Sequence, residues 1–261
     1  MAVRNLGDEA RAELAELIDL QMSPLGLAAM AGLAPSRGQA VLDVGCGAGQ
    51  TILQLAEKVG EAGRVVGVDV AARVLDVARA RTRHLPQVTL LREDVATISL
   101  PDESFDGIYS RFGVMFFADP GAAFSNMRRM LKRHGKISFV CWRSVEENEL
   151  DLFPVQAAGL SVDAEAAPFS FEKADTIRNV LLSAGFKRIA VDAHNWPVSS
   201  GCADAMLEVV TRVGALGMIL RATPTLLPEV KPQVRAALAA REVGGVVSLQ
   251  SATWIVTASA M

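Results

Sequence analysis

At 261 residues the chain is long enough to bury a sizeable core in one α/β domain with an elaboration. Its formal charge of -3 and isoelectric point near 5.7 argue against a nucleic-acid partner, because phosphate binding wants a basic face. Three cysteines, at 46, 141 and 202, offer neither metal-ligand spacing nor an even disulfide set, so no metal is expected.

The opening Met-Ala-Val-Arg-Asn-Leu-Gly-Asp-Glu lacks the apolar core of a signal peptide. The weakly polar run from Pro24 to Pro35 is too short to span a bilayer and has a proline at each end. A cytoplasmic protein without stable membrane insertion is expected, and Cys46 and Cys141 suit a reducing compartment. Asp8–Leu20 predicts an amphipathic helix with acids in its first turn, favourable to its dipole, and with Leu14, Leu17 and Ile18 on its apolar face.

From residue 38 the hydrophobic period alternates. Strands are predicted over 40–44, 65–69, 88–92, 106–110 and 136–142, with helices over 50–60, 71–82 and 120–132. Such alternation implies right-handed βαβ crossovers and a mostly parallel sheet. Basic residues cluster over Arg73–Arg83 and Arg128–Arg133, both on predicted helices, where a solvated face is the simpler account.

The first crossover carries most of the functional information. Val41-Leu-Asp-Val-Gly-Cys-Gly-Ala-Gly-Gln50 is a buried strand ending in an acid, then a turn with glycine at every second position, opening a helix. That arrangement lets a ligand approach bare backbone at a helix N-terminus. A tight turn without ligand is the plain alternative, but it has no reason to sacrifice backbone entropy at three glycines. The pattern is G-x-G-x-G, whereas the dinucleotide fingerprint G-x-G-x-x-G requires glycine or alanine where Gln50 stands. Asp43, just before the loop, suits a ligand with ammonium or hydroxyl groups better than a pyrophosphate. Asp69 ends the second strand, where an acid bonds ribose hydroxyls of NAD or S-adenosylmethionine alike. The third strand ends in Asp94-Val95, an acid for an adenine amino group and an apolar residue for the ring.

These residues, with Ser104-Phe-Asp-Gly-Ile-Tyr109 further on, resemble the successive motifs of class I S-adenosylmethionine-dependent methyltransferases. The similarity is greatest to the small-molecule branch containing ubiquinone- and menaquinone-biosynthesis-type enzymes, and it covers about residues 38–143 well. It implies a Rossmann-like seven-stranded, mostly parallel sheet with helices on both faces and an antiparallel last strand lying between the fifth and sixth. It implies S-adenosylmethionine as cofactor, with S-adenosylhomocysteine as product. Asp43, Gly45, Cys46, Gly47 and Gly49 would serve its methionine end, Asp69 and Val70 the ribose region, and Asp94 and Val95 the adenine. Ser110 and Arg111 would flank the methionine and the methyl group. The N-terminal segment, residues 1–37, reads as a lid over the cofactor or as a helix on the flank of the sheet.

Beyond residue 143, Thr176–Ala184 predicts a helix ended by Gly185 in the left-handed cap position, and Lys187–Ala193 a strand. Ser248–Ala258 contains a last strand at Thr253–Thr257. Residues of about 197–245 then form an insertion between the last two strands, with helices predicted over Ala203–Met218 and Leu227–Val243 and no strand pair. Its Met206, Leu207, Val210, Leu216, Met218, Ile219 and Leu220 exceed one helix face, and read equally as a subdomain core, a cap over an apolar acceptor pocket, or a homodimer contact.

Methyl transfer needs positioning and exclusion of water, and a general base only if the acceptor must lose a proton. His84 ends a charged helix and His134 sits in a turn, which leaves His194 as the candidate base, with a structural role as its alternative. Arg111 and Arg143 follow the fourth and fifth strands and would grip a carboxylate; pairing of either with Asp119, Glu146 or Glu147 is the plainer account. Phe112, Met115, Phe116 and Trp142, with Arg143, would line the acceptor pocket. A small apolar or aromatic metabolite is the expected partner. A nicotinamide or flavin oxidoreductase, and a protein that binds S-adenosylmethionine without turning it over, are the alternative functions.

Overall fold

The computed structural model of the chain describes residues 2–161 and 169–261, with side chains from residue 7 onward. In chain order its elements begin with α1 (Ala2–Glu13) and α2 (Ala15–Leu33). Then come β1 (Ala40–Val44), α3 (Gln50–Val59), β2 (Arg64–Asp69), α4 (Ala72–Thr82), β3 (Val88–Arg92) and β4 (Phe105–Arg111). α5 (Pro120–Met130), β5 (Leu131–Trp142), α6 (Glu149–Ala157), α7 (Ala174–Ser183) and β6 (Lys187–Val198) follow. The chain ends with α8 (Ala203–Val210), α9 (Gly214–Ala222), α10 (Leu227–Ala239) and β7 (Leu249–Ser259).

The strands form one seven-stranded sheet in the order β3-β2-β1-β4-β5-β7-β6. β1 to β5 pair in parallel, and β7 runs antiparallel between β5 and β6, as the resemblance implied. The order reverses beside β1, so the crevice outside the carboxyl ends of β1 and β4 is the topological switch point where ligands bind in such sheets.

The N-terminal segment departs from the single helix expected over 8–20. Leu14 leaves helical geometry (φ -95°, ψ 16°), although its N–H still donates to Ala10 and its carbonyl accepts from Ile18. α2 then continues through Pro24 to Leu33 and stops at Ala34 in the left-handed conformation (φ 52°). Its inner side lies on β4, β5 and β7. Tyr109 Oη donates to the Gly26 carbonyl at 2.9 Å and Ser138 Oγ to the Ala29 carbonyl at 2.7 Å, fastening helix to sheet. The stretch from Pro24 is thus the buried half of a helix crossing the sheet. Gly26 permits the close approach: a Cβ there would come within 2.7 Å of Arg111 Cδ and 2.9 Å of Tyr109 Oη.

The last two strands are longer than expected, and between them lie α8, α9 and α10, with only a single bridge, Val243 to Val246, as strand-like pairing. The helix expected over 203–218 is broken at 211–213. Gly214 takes a φ of +74°, and the buried Asp151 of α6 accepts from the Ala215 N–H at 2.8 Å, fixing a new helix start. Of the seven apolar residues singled out here, Met206, Leu207, Val210, Leu216 and Leu220 are buried in the core, and Met218 and Ile219 are half-buried.

Candidate cofactor-binding site

β2, β1 and β4 are neighbours in the sheet, and the carboxyl end of β4 lies against α2, where Arg111 meets Asp19. β1 turns into α3 through Gly45, Gly47 and Gly49, with φ of +71°, +52° and +86°, a run that L side chains rarely adopt. A Cβ on Gly45 would lie 2.8 Å from Gly113 Cα, and one on Gly49 would lie 2.9 Å from Ala78 Cβ. Nothing lies within 4 Å of a Cβ built on Gly47. Gly45 and Gly49 therefore serve close packing, and Gly47 has open space on the side where a Cβ would stand.

Two acids flank this loop. Asp69 Oδ2 accepts from the Gly47 N–H and Oδ1 from the Ala71 N–H, each at 2.9 Å, leaving each oxygen a further lone pair. Asp43 is fully buried; its Oδ2 accepts from the Thr51 hydroxyl, and its Oδ1 has no partner among the described residues. Burial pushes its carboxyl up to about 7, and the nearby Asp69 adds to the rise, while Thr51 and Arg111 oppose it. A buried carboxylate oxygen without a donor is an unusual expense in a folded protein, and it marks where a cationic or hydroxyl donor belongs.

Arg111 closes the site from β4. Its Nη2 donates to Asp19 Oδ1 at 2.9 Å, and its Nη1 donates to Gln50. Arg81 of α4 donates to the other oxygen of Asp19 at 2.7 Å and to the Ala48 carbonyl of the glycine loop at 3.1 Å. Asp19 and Thr51 carry no role in the sequence reading, Gln50 enters it only as a departure from the dinucleotide fingerprint, and Arg81, expected on a solvated face with the Arg73–Arg83 cluster, is instead mostly covered and paired with Asp19.

The remaining expected residues divide. Cys46 is buried, its Sγ 2.9 Å from a Cβ built on Gly67, and burial raises its thiol pKa; its side chain belongs to the sheet packing. Ser110 is also turned inward: its hydroxyl donates to the Val44 carbonyl at 2.7 Å and accepts from the Gly113 N–H at 3.2 Å. Val70 is 63% exposed and lines a cavity of about 330 Å³ with Asp8 and Glu9 of α1 and with Ala72, Arg73 and Arg92. Asp94 is exposed and caps its own turn through the Ala96 N–H at 2.9 Å, while Val95 is buried in the core.

Among the expected acceptor-lining residues, Phe112, Met115 and Trp142 come together. The Phe112 and Trp142 rings stack, and Met115 Sδ accepts from the Trp142 N–H at 3.3 Å. Phe116 is 52% exposed and does not join them. Arg143 does not meet Arg111. Arg111 pairs with Val140 across the sheet, and an odd step from 140 to 143 turns the side chain to the other face. Arg143 instead donates to Glu147 and to Asn195 Oδ1 and lies over the Trp254 ring. His194 is also distant. It sits on the edge strand β6, three strand spacings from β4, roughly 14 Å, and stacks on Trp196. The candidate base is therefore not brought to Arg111.

Among the described residues no group of acids, cysteines and histidines is arranged to hold a metal, and no helix is long and apolar enough to cross a membrane.

Residues 42–139 match the family described as "Methyltransferase domain". The chain is similar to aklanonic acid methyltransferase DauC of Streptomyces sp. (strain C5), 36% identical over 107 residues, which are 40% of this chain and 49% of that protein. It is similar to 2-phytyl-1,4-naphtoquinone methyltransferase of Thermosynechococcus vestitus, 33% identical over 117 residues, 45% of this chain and 52% of that protein. The match thus spans about half the length of these curated relatives. In fold, the YcgJ protein of Bacillus subtilis superposes with a TM-score of 0.60 at 18% identity, covering 90% of this chain and 98% of that one. The sheet order and the glycine loop between Asp43 and Asp69 accompany that domain match, so the chain is similar over residues 42–139 to methyltransferases and shares their fold.

Proposed function

We propose that the protein transfers the methyl group of S-adenosylmethionine to a small apolar or aromatic acceptor, releasing S-adenosylhomocysteine. The observation that carries this reading is the buried Asp43 Oδ1 without a donor among the described residues, beside a loop with open space at Gly47 and within the field of Arg111. The cofactor's amino-acid end carries an ammonium and a carboxylate. Asp43 Oδ1 would accept from the first, and the Arg111 guanidinium would donate to the second. The spare lone pairs of Asp69 suit the ribose hydroxyls, and the cavity under α1, lined by Val70, suits the adenosine side with α1 as its lid.

Bound S-adenosylmethionine supplies an electrophilic methyl group on a sulfonium, attacked in line by the acceptor. The chain's own residues contribute orientation and exclusion of water. α2 covers the carboxyl end of β4, and the Phe112–Trp142 stack beside it offers a flat apolar wall to an acceptor. The insertion is held to α2, with Ser200 Oγ donating to the Leu17 carbonyl at 3.2 Å, and serves as the acceptor-site cap. The same reading places the protein in the cytoplasm, in keeping with three free cysteines, and allows a homodimer built on the insertion.

The nicotinamide or flavin oxidoreductase gains no support. Where the dinucleotide fingerprint needs a glycine, Gln50 presents an amide that Arg111 holds. Calorimetric titration with S-adenosylhomocysteine, followed by incubation with methyl-labelled S-adenosylmethionine and a panel of phenols and quinols, tests the proposal. Saturable binding with label transferred to one acceptor class supports it. Tight binding with no transfer to any acceptor favours a binding protein, and no binding sinks the cofactor assignment.

A further inference from the structure

The Asp19 carboxylate lies between two guanidiniums, 2.9 Å from Arg111 Nη2 and 2.7 Å from Arg81 Nη1, with only 10% of its side chain exposed. It joins three parts of the site. Asp19 belongs to α2, Arg111 ends β4, and Arg81 reaches from α4 to the Ala48 carbonyl inside the glycine loop. Removing a carboxylate from water is costly, and an ion pair of this kind is weak evidence for a stability role, since an apolar contact would fasten α2 as well.

The charge balance indicates what the arrangement is for. Within this triad two guanidiniums face one carboxylate, so the positive charge of one arginine is left over for a further acid. Each arginine has five N–H donors, and Arg111 spends only two of them in the bonds to Asp19 and Gln50. Without Asp19 the two cations would repel and each long side chain would recover its rotamer freedom. With it, both guanidiniums are anchored to the two oxygens of one carboxylate.

We propose that Asp19 is a positioning residue of the methyl-donor site, holding Arg111 and Arg81 as a paired grip for the carboxylate of the donor's amino-acid end. This rests on the functional reading given above. Asp19 touches neither the donor nor the acceptor in this arrangement; it acts through the two arginines.

The test compares two probes, S-adenosylhomocysteine, which has the amino-acid end, and 5′-methylthioadenosine, which lacks it. Dissociation constants are measured for the wild type and for Asp19→Asn, Arg81→Gln and Arg111→Gln. The isosteric Asp19→Asn is expected to weaken S-adenosylhomocysteine about tenfold, the usual scale for loss of a charge-assisted contact, with 5′-methylthioadenosine changed less than twofold. Both arginine variants are expected to lower the same ratio of affinities. They keep the test decisive should Asp19→Asn fail to fold, and retained 5′-methylthioadenosine binding reports folding directly. Equal weakening of both probes overturns the proposal, because Asp19 would then merely fasten α2. Tighter binding of S-adenosylhomocysteine by Asp19→Asn also overturns it, because Asp19 would then be a competitor for the guanidiniums. Wild-type protein that binds neither probe removes the methyl-donor reading itself, and this inference with it.

Discussion

Phe112 stacks on Trp142, ring centroids 4.1 Å apart and planes 24° apart, from a backbone φ of +58°. Regular alternation past Arg111 would send residue 112 to the opposite face of the sheet; the left-handed turn breaks the alternation and brings the ring onto Trp142. A non-glycine residue there costs roughly 1–2 kcal/mol, and such strain gathers at functional sites. Alanine and glycine at this position therefore separate strain from stacking. Phe112→Ala and Phe112→Gly are both expected to raise the KM for the acceptor. In urea unfolding, Phe112→Gly is expected to be at least as stable as Phe112→Ala, against the usual advantage of alanine of roughly 0.5–1 kcal/mol. An alanine variant more stable by that usual margin would refute the strain.

Asp69 holds the glycine loop, its two oxygens accepting from Gly47 and Ala71, and in the proposed site it would also serve the ribose. Asp69→Ala is expected to weaken S-adenosylhomocysteine binding about tenfold or more, through lost bonds of roughly 1.5–3 kcal/mol each. A stability loss of about 1–2 kcal/mol should accompany it as the Gly47 N–H loses its partner. Calorimetry giving an unchanged dissociation constant would remove Asp69 from the site.

What the sequence made legible was local. Each strand that carries the site ends in a visible change of chemistry: Asp43 before the glycines, Asp69 before α4, Asp94 after β3. Long-range placement was hidden. Asp19 meets partners 62 and 92 residues away, and no spacing within α2 announces that. The break between α8 and α9 depends on Asp151, which lies 64 residues before the N–H it accepts from. Side-chain direction was hidden as well. Ser110 and Cys46 stand in the right motifs with their side chains turned inward, Arg143 faces away from Arg111, and His194 lies on the far edge of the sheet.

Ser110 links β1 and β4 through a buried hydroxyl that donates to Val44 and accepts from Gly113. Ser110→Ala leaves the Gly113 N–H without that acceptor and should cost about 1–3 kcal/mol of stability. Affinity for S-adenosylhomocysteine, measured well below the lowered melting temperature, is expected to stay within twofold. A tenfold loss of affinity with unchanged stability would return the hydroxyl to the cofactor.

Asp43 is expected to make both stability and cofactor affinity depend on pH, with opposite signs. Its carboxyl is raised from 3.8 to about 7 by burial, so between those values the unfolded chain has lost a proton that the folded chain retains. Stability from this group is therefore complete below pH 4 and declines as pH rises to about 7, by an amount on the order of 4 kcal/mol. The unpartnered Oδ1 gives binding the reverse trend. A ligand ammonium favours the carboxylate, so below pH 7 binding must expel a proton, and affinity for S-adenosylhomocysteine should rise by up to about tenfold per pH unit before levelling off. Asp43→Asn carries no proton to lose, and should flatten both profiles over pH 5–8 while weakening binding at pH 8. Calorimetric titrations in buffers of different ionisation enthalpy would detect the proton released by the wild type near pH 6. Equal affinities at pH 6 and 8, with no proton released, would show that the Asp43 carboxylate does not receive the ammonium.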